Sequence, residues 1–398
     1  MTLIDTPEVS TEVDFLERAR SIAGIIEAEA EAGEKATDVT DVAGQALADQ
    51  GLFWMFAPRE YGGGQVDIVT GLKVIEEISR ADGSTGWVLM ATSIGTRNAS
   101  FFMPQKGRDE LFGGPQKAIC AGYAAPLGTA TETEGGLIGG AERLHFASGS
   151  KFCSHLAVTV RVLNPDGTQK MLNENAPDIR AFFAPMEKIE MLGNWDVMGL
   201  VGTGSYDYAL PEQFLDENYT LRSTFWTDPS QPVVGSELDR AAIGFAGHIG
   251  VVLGLMKRSL EEVSRIVTGK TRQGYPDGVD HHPVFLKELA EADAKYHSIR
   301  AYAHAILREA EEAAHTHGEV PAELTARIRQ VTTWVHTIGT DVINFASLWG
   351  ATQTFRNPSV LGRLTRDMTV ARNHLAADHI GLVQSAIPIL NSWRQPTT

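Results

Sequence analysis

His374 gives the chain its strongest candidate for chemistry. It lies in the stretch Asn357-Pro358-Ser359-Val360-Leu361-Gly362-Arg363-Leu364-Thr365-Arg366-Asp367-Met368, continued by Ala371-Arg372-Asn373-His374-Leu375 and closed at Asp378-His379. An imidazole can donate, accept or carry a proton near neutral pH. The plainer use of this segment is structural, with Arg366 and Asp367 in ion pairs and His374 packed in a core. Ser154, in Ala147-Ser148-Gly149-Ser150-Lys151-Phe152-Cys153-Ser154-His155, offers a hydroxyl donor that neighbouring backbone could equally satisfy. The run Trp195-Asp196-Val197-Met198-Gly199-Leu200-Val201-Gly202-Thr203-Gly204-Ser205 offers another kind of site. Its glycines let backbone N–H groups approach an anion, and Thr203 and Ser205 add hydroxyls. His281-His282 suggests a metal, but adjacent imidazoles point apart in regular structure and no second cluster has ligand spacing, so none is expected.

Helices must position most of these groups. Val360, Leu361, Leu364, Met368, Ala371 and Leu375 recur at three- and four-residue steps, which predicts one buried-faced helix with Pro358 in its first turn. Helical spacing also covers 13–51 and 67–81, with a break over Ala81-Asp82-Gly83-Ser84-Thr85-Gly86-Trp87 and a further apolar helix after it through about Phe102. From about Ala118 the pattern changes to short alternating runs bounded by turn residues: 118–123, 137–138, 141–148, 156–163, 179–185, 189–191 and 205–210. These predict a small antiparallel β-domain, ending at a linker near Asp228-Pro229-Ser230-Gln231-Pro232. Long helices return over 237–268, 284–318 and 322–350, the first rich in small residues that permit close approach. The expected division is a helical N-terminal domain over 1–117, a β-domain over 118–232 and a helical bundle over 233–398. Residues 1–9 read as a loose tail. Strand alternation from Ser154 would turn His155 to the opposite face unless it joins the same site.

The 398 residues are 43% hydrophobic and 21% charged, with a net charge of −16, which argues against nucleic acid or an anionic membrane as the main partner. Two cysteines, Cys120 and Cys153, exclude a disulfide framework and suit a reducing cytoplasm. The acidic N-terminus carries no signal-peptide pattern, and no apolar run is long enough for a membrane helix. The glycine triplet in Ala57-Pro58-Arg59-Glu60-Tyr61-Gly62-Gly63-Gly64 lacks the Lys-Ser/Thr and preceding strand of a phosphate loop. No Gly-x-Gly-x-x-Gly lies between a strand and a helix either, so the chain has no nicotinamide fingerprint.

The order helical domain, β-domain, helical bundle resembles the acyl-CoA dehydrogenase fold, α+β and mostly α. Five stretches carry that resemblance: Pro58–Gly64, Gly149–Ser154, Trp195–Ser205, Thr271–Gly274, and the run from Asn357 to His374. In dehydrogenases of the family with a base in the last region, a Glu follows the Arg-Asp pair by about two turns. Asn373-His374-Leu375 stands there instead, which resembles the family's two-component flavin monooxygenases. The resemblance implies reduced FMN or FAD delivered by a separate NAD(P)H:flavin reductase, reaction with O₂ through a C4a-hydroperoxide, and oxygen transfer to a small aromatic or heterocyclic substrate. It implies catalytic roles for His374 and Ser154, with His374 either hydrogen-bonding the peroxide or serving as an acid–base partner, for which a pKa near working pH would be an advantage. It implies flavin contacts at Tyr123, Phe152, Cys153, Ser154, Thr203, Gly204 and Ser205. Arg272 would reach a flavin phosphate across a subunit boundary, and Trp349, in the Phe345–Gly350 stretch that resembles the turn before the last helix, is a further flavin-contact candidate. Trp87, Met90 and Phe101 are pocket candidates, with His379 as an alternative to His374 if the helix turns otherwise. Family members are usually homotetramers. An acyl-CoA dehydrogenase with its base on an earlier helix, near Glu237 or Asp239, and a non-catalytic flavin-binding scaffold are the competing readings.

Overall fold

The computed structural model describes residues 15–222, 240–275 and 277–394. The tail expected over residues 1–9, the linker at 228–232, and Glu237 and Asp239 lie outside the described residues.

Helix α1 (Phe15–Ala36) buries Phe15, Ala19, Ile22, Ile26 and Ala30, one face of a 3.6-residue repeat. Thr40 opens α2 (Asp41–Asp49) by accepting the Ala43 N–H at 3.2 Å. Asp67 does the same for α3 (Ile68–Ala81) through Thr70 N at 2.8 Å. Helix α4 (Gly83–Phe102) begins well before Trp87, because Asp82 caps it through the Thr85 N–H and hydroxyl, both at 2.8 Å. Helix α5 (Gln105–Phe112) follows. Between α2 and α3 the Pro58–Gly64 segment is a tight turn. A side chain at Gly63 would come within 2.3 Å of the Ala57 carbonyl.

The strands are β1 (Cys120–Thr133), β2 (Gly136–Leu144), β3 (His155–Leu163), β4 (Met171–Asn173), β5 (Ala176–Pro177), β6 (Ile179–Pro185), β7 (Glu190–Gly193), β8 (Asp207–Asp216) and β9 (Thr220–Arg222). Seven form one sheet in the order β7-β8-β2-β1-β3-β6-β9, and β4 pairs with β5 alone. The sheet is mixed where an all-antiparallel one was expected. After the β1–β2 hairpin the chain returns to the start of β1, so β3 enters parallel to it, with Cys120 opposite His155. The pairing of β1 with β3 slips between Tyr123 and Gly128.

The C-terminal helices are α6 (Arg240–Val267), α7 (Pro283–His317), α8 (Ala322–Gly350), α9 (Thr352–Phe355), α10 (Val360–Ala371) and α11 (Ile380–Arg394). The small residues of α6 serve a close contact with α3: a Cβ on Gly254 would lie 2.5 Å from the Glu76 carbonyl. His282 caps α7 through Val284 N at 3.3 Å, with Pro283 at the first position, which accounts for one of the paired histidines. The last segment departs from the expected single helix. Ser359, not Pro358, starts α10 by accepting the Gly362 N–H at 2.9 Å. The helix stops at Ala371, and His374 caps a short turn over Leu375–Ala377 before α11. One apolar core joins all three parts, through residues such as Met55, Ile75, Val88, Leu156, Leu253 and Val335.

Candidate active site

The break after α10 turns His374 back against the helices. Its Nδ1 accepts the Ala376 N–H at 3.1 Å, which fixes the ring at the head of the short turn. The ring stacks on His248 of α6, with centroids 4.1 Å apart and planes inclined by 28°. Trp87 of α4 stands edge-on to both, 5.6 Å from His374 and 5.0 Å from His248. Behind His248 lies His336 of α8, 6.5 Å away, whose Nδ1 donates to the Thr332 carbonyl at 2.7 Å. Met90, one turn beyond Trp87, closes against Gly247, where a Cβ would meet its Cγ at 2.5 Å. Thus α4, α6, α8 and the turn after α10 line one recess, with His374 keeping an exposed edge.

Burial strips water from these rings and disfavours their charged forms. His374 and His336 are each lowered to about 4. His248 falls well below its usual value, from burial first and then from repulsion by His374 and His336. The expected acid–base residue titrating near working pH is therefore a neutral imidazole. Its Nδ1 already accepts a backbone N–H, so its hydrogen sits on Nε2 and it is a hydrogen-bond donor. Sequence reasoning missed His248 and His336. Each is a lone polar residue on a helix face of small or apolar neighbours, a pattern that more often marks a satisfied core residue.

The other pocket candidates separate. Phe101 lies about 20 Å along α4 from Trp87, at the helical rise per residue. There Arg97 sits 5.1 Å over its ring and 5.5 Å over that of Phe102. His379 is exposed at the head of α11 and has no ring contact with the imidazole group.

At the sheet, Ser154 lies just before β3 rather than within it, and this decides the fate of His155. The histidine turns back, with its Nδ1 2.9 Å from the Ser154 hydroxyl, so the two share one site. Burial lowers His155 to about 4, against the pull of Glu187. Nearby, the rings of Tyr123, His145 and Phe146 meet at 5.8–5.9 Å, with Trp195 at 6.4 Å from Phe146. Phe146 is 52% exposed and held at φ +61°. Ala124–Leu127 fall in the slipped part of β1 and pair with neither β2 nor β3. Phe152 and Cys153 point elsewhere. The Phe152 ring fills the space over Gly44 and stacks on Phe53 at 6.1 Å. The Cys153 thiol is fully buried against the Gly149 carbonyl, and burial pushes it up.

Thr203, Gly204 and Ser205 sit in a buried joint between the three parts of the fold. Their hydroxyls form a chain, Ser148 to Ser205 at 2.6 Å and Ser205 to Thr203 at 2.7 Å, ending with Thr203 donating to the Leu200 carbonyl at 2.8 Å. Gly204, at φ +53°, lies against the Asp38 carboxyl. From α10, Asp367 accepts the Leu200 N–H at 2.6 Å, and Arg366 pairs with Glu34 of α1. Arg363 lies 3.6 Å from Asp82. Arg366 thus makes an ion pair, while Asp367 is held by a backbone hydrogen bond rather than by the ion pair expected of it.

Arg272 and Trp349 come together at the bundle's end. The guanidinium donates to the Trp349 carbonyl at 2.7 Å and lies 5.6 Å over its ring, while the indole N–H donates to Glu288 at 2.7 Å. Among the described residues, no group of three or more His, Cys, Asp or Glu side chains is arranged to hold a metal.

Comparison with known proteins agrees with this architecture. The model of the acyl-CoA dehydrogenase N-terminal domain matches residues 12–102, and that of the C-terminal domain matches residues 246–379. Together they span more than half of the chain, which belongs to the acyl-CoA dehydrogenase family. Among curated relatives, an indole-3-acetate monooxygenase of Pseudomonas putida is 25% identical over 83% of this chain and 81% of its own. The flavin-dependent monooxygenase oxygenase subunit HsaA of Mycobacterium tuberculosis is 29% identical over 48% of this chain and 46% of its own, so that match spans about half of each. The structure of XiaF from Streptomyces, in complex with FADH2 and glycerol, superposes with a TM-score of 0.85 at 20% identity, covering 96% of this chain and 97% of that one.

Proposed function

We propose that the chain is the oxygenase component of a two-component flavin-dependent monooxygenase. The observation that carries this reading is the recess itself. Where a dehydrogenase needs a carboxylate base, a neutral imidazole stands as a donor, packed on His248 and Trp87. With its Nδ1 lone pair bonded to the Ala376 N–H and its hydrogen on Nε2, this ring offers an α-proton no free lone pair, but it can hold an oxygen atom by a hydrogen bond. The named activities of the relatives support the same reading.

The sheet edge fits a reduced flavin, FMN or FAD. The exposed ring of Phe146, with the half-buried rings of Tyr123 and Trp195 against it, suits a flat ring, and the unpaired backbone of 124–127 suits its amide-rich edge. Reduced flavin, when bound, supplies the electrons that activate O₂ for transfer to the substrate. Ser154, steadied by His155, would donate to the ring, and Arg272 beside Trp349 would meet a phosphate. Thr203, Gly204 and Ser205 would hold the adjoining joint closed. Trp87, Met90, His248 and His374 would enclose a small aromatic or heterocyclic substrate and exclude water. The absence of a nicotinamide fingerprint supports a separate NAD(P)H:flavin reductase as partner. Exposed apolar side chains on the bundle, Leu348, Val383, Ile387 and Trp393 among them, support a homotetramer. Among the described residues no helix is long and apolar enough to cross a membrane, and the two buried free cysteines support a cytoplasmic location.

The test is stopped-flow absorbance. Protein mixed with anaerobically reduced FMN or FADH2 meets oxygenated buffer, with and without indole or phenol. A long-lived species distinct from oxidised flavin is expected. Reoxidation matching that of free flavin under every condition would reject the reading.

A further inference from the structure

Two enclosed nitrogens of the imidazole group have no hydrogen-bond partner among the described residues, His248 Nδ1 and His336 Nε2. Their residues are 8% and 2% exposed. Leaving such an atom unpaired costs on the order of 1–3 kcal/mol. The neighbouring bonds restrict what each nitrogen can be. His336 Nδ1 donates to the Thr332 carbonyl, so the neutral ring carries its hydrogen there and its Nε2 is only an acceptor. His374 is constrained in the opposite sense, with its hydrogen on Nε2. The His248 and His336 centroids stand 6.5 Å apart, too far for a direct bond between the rings and suited to one enclosed water.

We propose that His248 is a further substrate-binding residue whose tautomer is set from within by His336. Nδ1 of His248 carries the hydrogen and donates, through one enclosed water, to His336 Nε2. That leaves His248 Nε2 as an acceptor at the recess, beside the Nε2–H donor of His374 on the ring stacked 4.1 Å away. Side by side, the rings offer one acceptor and one donor. Such a pair selects a flat ring bearing an O–H or N–H over one whose heteroatom has no hydrogen to give. His336 is then a positioning residue that acts through His248. The assignment rests on the part of the proposed function that makes the recess the substrate site, and not on the oxygen chemistry done there.

Long-range ¹H–¹⁵N spectra of the full-length protein labelled at histidine test the tautomers directly. Signals are assigned by their loss in His248→Phe and His336→Phe. The expected result is hydrogen on Nδ1 in both His248 and His336, with His248 losing that preference in His336→Phe. Hydrogen on Nε2 of His248 in the unsubstituted protein would overturn the proposal. A second measurement compares phenol with anisole by equilibrium dialysis. The unsubstituted protein should favour phenol about tenfold, roughly the worth of one hydrogen bond. His248→Gln, which keeps an acceptor, should retain part of that preference, and His248→Phe should bind the two equally. Equal or undetectable binding of both by the unsubstituted protein would overturn the substrate class. Neither readout involves flavin or oxygen. A protein that passed both yet left reduced flavin unprotected would sink the oxygenase reading and keep this assignment.

Discussion

Along α10, Arg363, Arg366 and Asp367 meet Glu34, Asp82 and Leu200. Beyond its end, His248 and His374 meet Trp87, with His336 behind His248. Both groups are polar, both adjoin the same short helix, and lost hydration drives both toward neutrality from opposite sides. Burial, reinforced by the charge of Asp82, pushes Asp367 up to about 7. Burial likewise pushes Asp38 up to about 6, against the attraction of Lys151. The imidazoles move down. What separates the groups is how their atoms are used. The carboxyl group holds segments together, as Asp82 caps α4, Asp367 ties down Leu200 and Arg366 ties α10 to α1. The imidazole group ties its outer members only to their own local backbone and leaves its middle ring unbonded. Each group leaves buried atoms unpaired among the described residues, Asp82 Oδ1 and Asp367 Oδ2 in one and His248 Nδ1 and His336 Nε2 in the other. The difference is that the carboxyl group's remaining bonds tie distant segments together, whereas the imidazoles' bonds tie none.

This contrast can be broken at several points. The largest effect should come from His374→Ala, which removes the donor. Product formed per NAD(P)H consumed, with a reductase present, should fall about 100-fold, as for loss of one preorganised donor. Hydrogen peroxide should replace product, with a fall in melting temperature no larger than the loss of the His374 cap on Ala376 explains, about 1 kcal/mol. Unchanged coupling would place the chemistry elsewhere. Arg272→Ala should weaken flavin binding about tenfold by titration, in line with loss of a charge-assisted bond, with coupling intact. Equal affinity would show that the phosphate is met by other residues. In the carboxyl group, Asp82→Ala should cost about 1 kcal/mol or more from the lost cap, read as a lower melting temperature. Activity per folded molecule should be kept, and a selective loss of turnover would blur the division drawn here.

The subtlest test is pH. Asp367 is raised in the folded chain, so its contribution to stability is full below the ordinary value of 3.8 and is gone above about 7. His336 and His374 are lowered, so theirs is present above the ordinary value of 6.5 and is lost as pH falls through about 4. Between pH 4.5 and 6.5 the two slopes oppose each other. Asp367→Asn should therefore steepen the rise of melting temperature with pH in that window, and His336→Phe should flatten it. Identical profiles for both variants and the unsubstituted protein would mean that burial does not govern these groups.

The helices announced themselves in particular residues. The apolar spacing over 13–51 placed the first helices, where α1 and α2 stand. The small residues of α6 foretold its close approach to α3. His374 and Ser154 stood out because they occupy positions in recognisable local runs. His248 and His336 did not, since a histidine on an apolar helix face has no local signature of purpose. The stop at Ala371 was also hidden. Leu375 continues the apolar spacing, and only the capping bond from Ala376 to the His374 ring shows that the ring itself ends the pattern.

The sequence by itself determined the elements, their order, and the replacement of a carboxylate by an imidazole at the end of α10. Those are local matters of periodicity, capping and residue type. Tertiary structure alone decided that His374 is neutral and donates from Nε2, that His155 turns back to Ser154, and that histidines from α6 and α8 join the same recess. Protonation depends on how much water packing removes, and ring contacts depend on which distant helices share a wall. Neither is written in the spacing of residues along the chain.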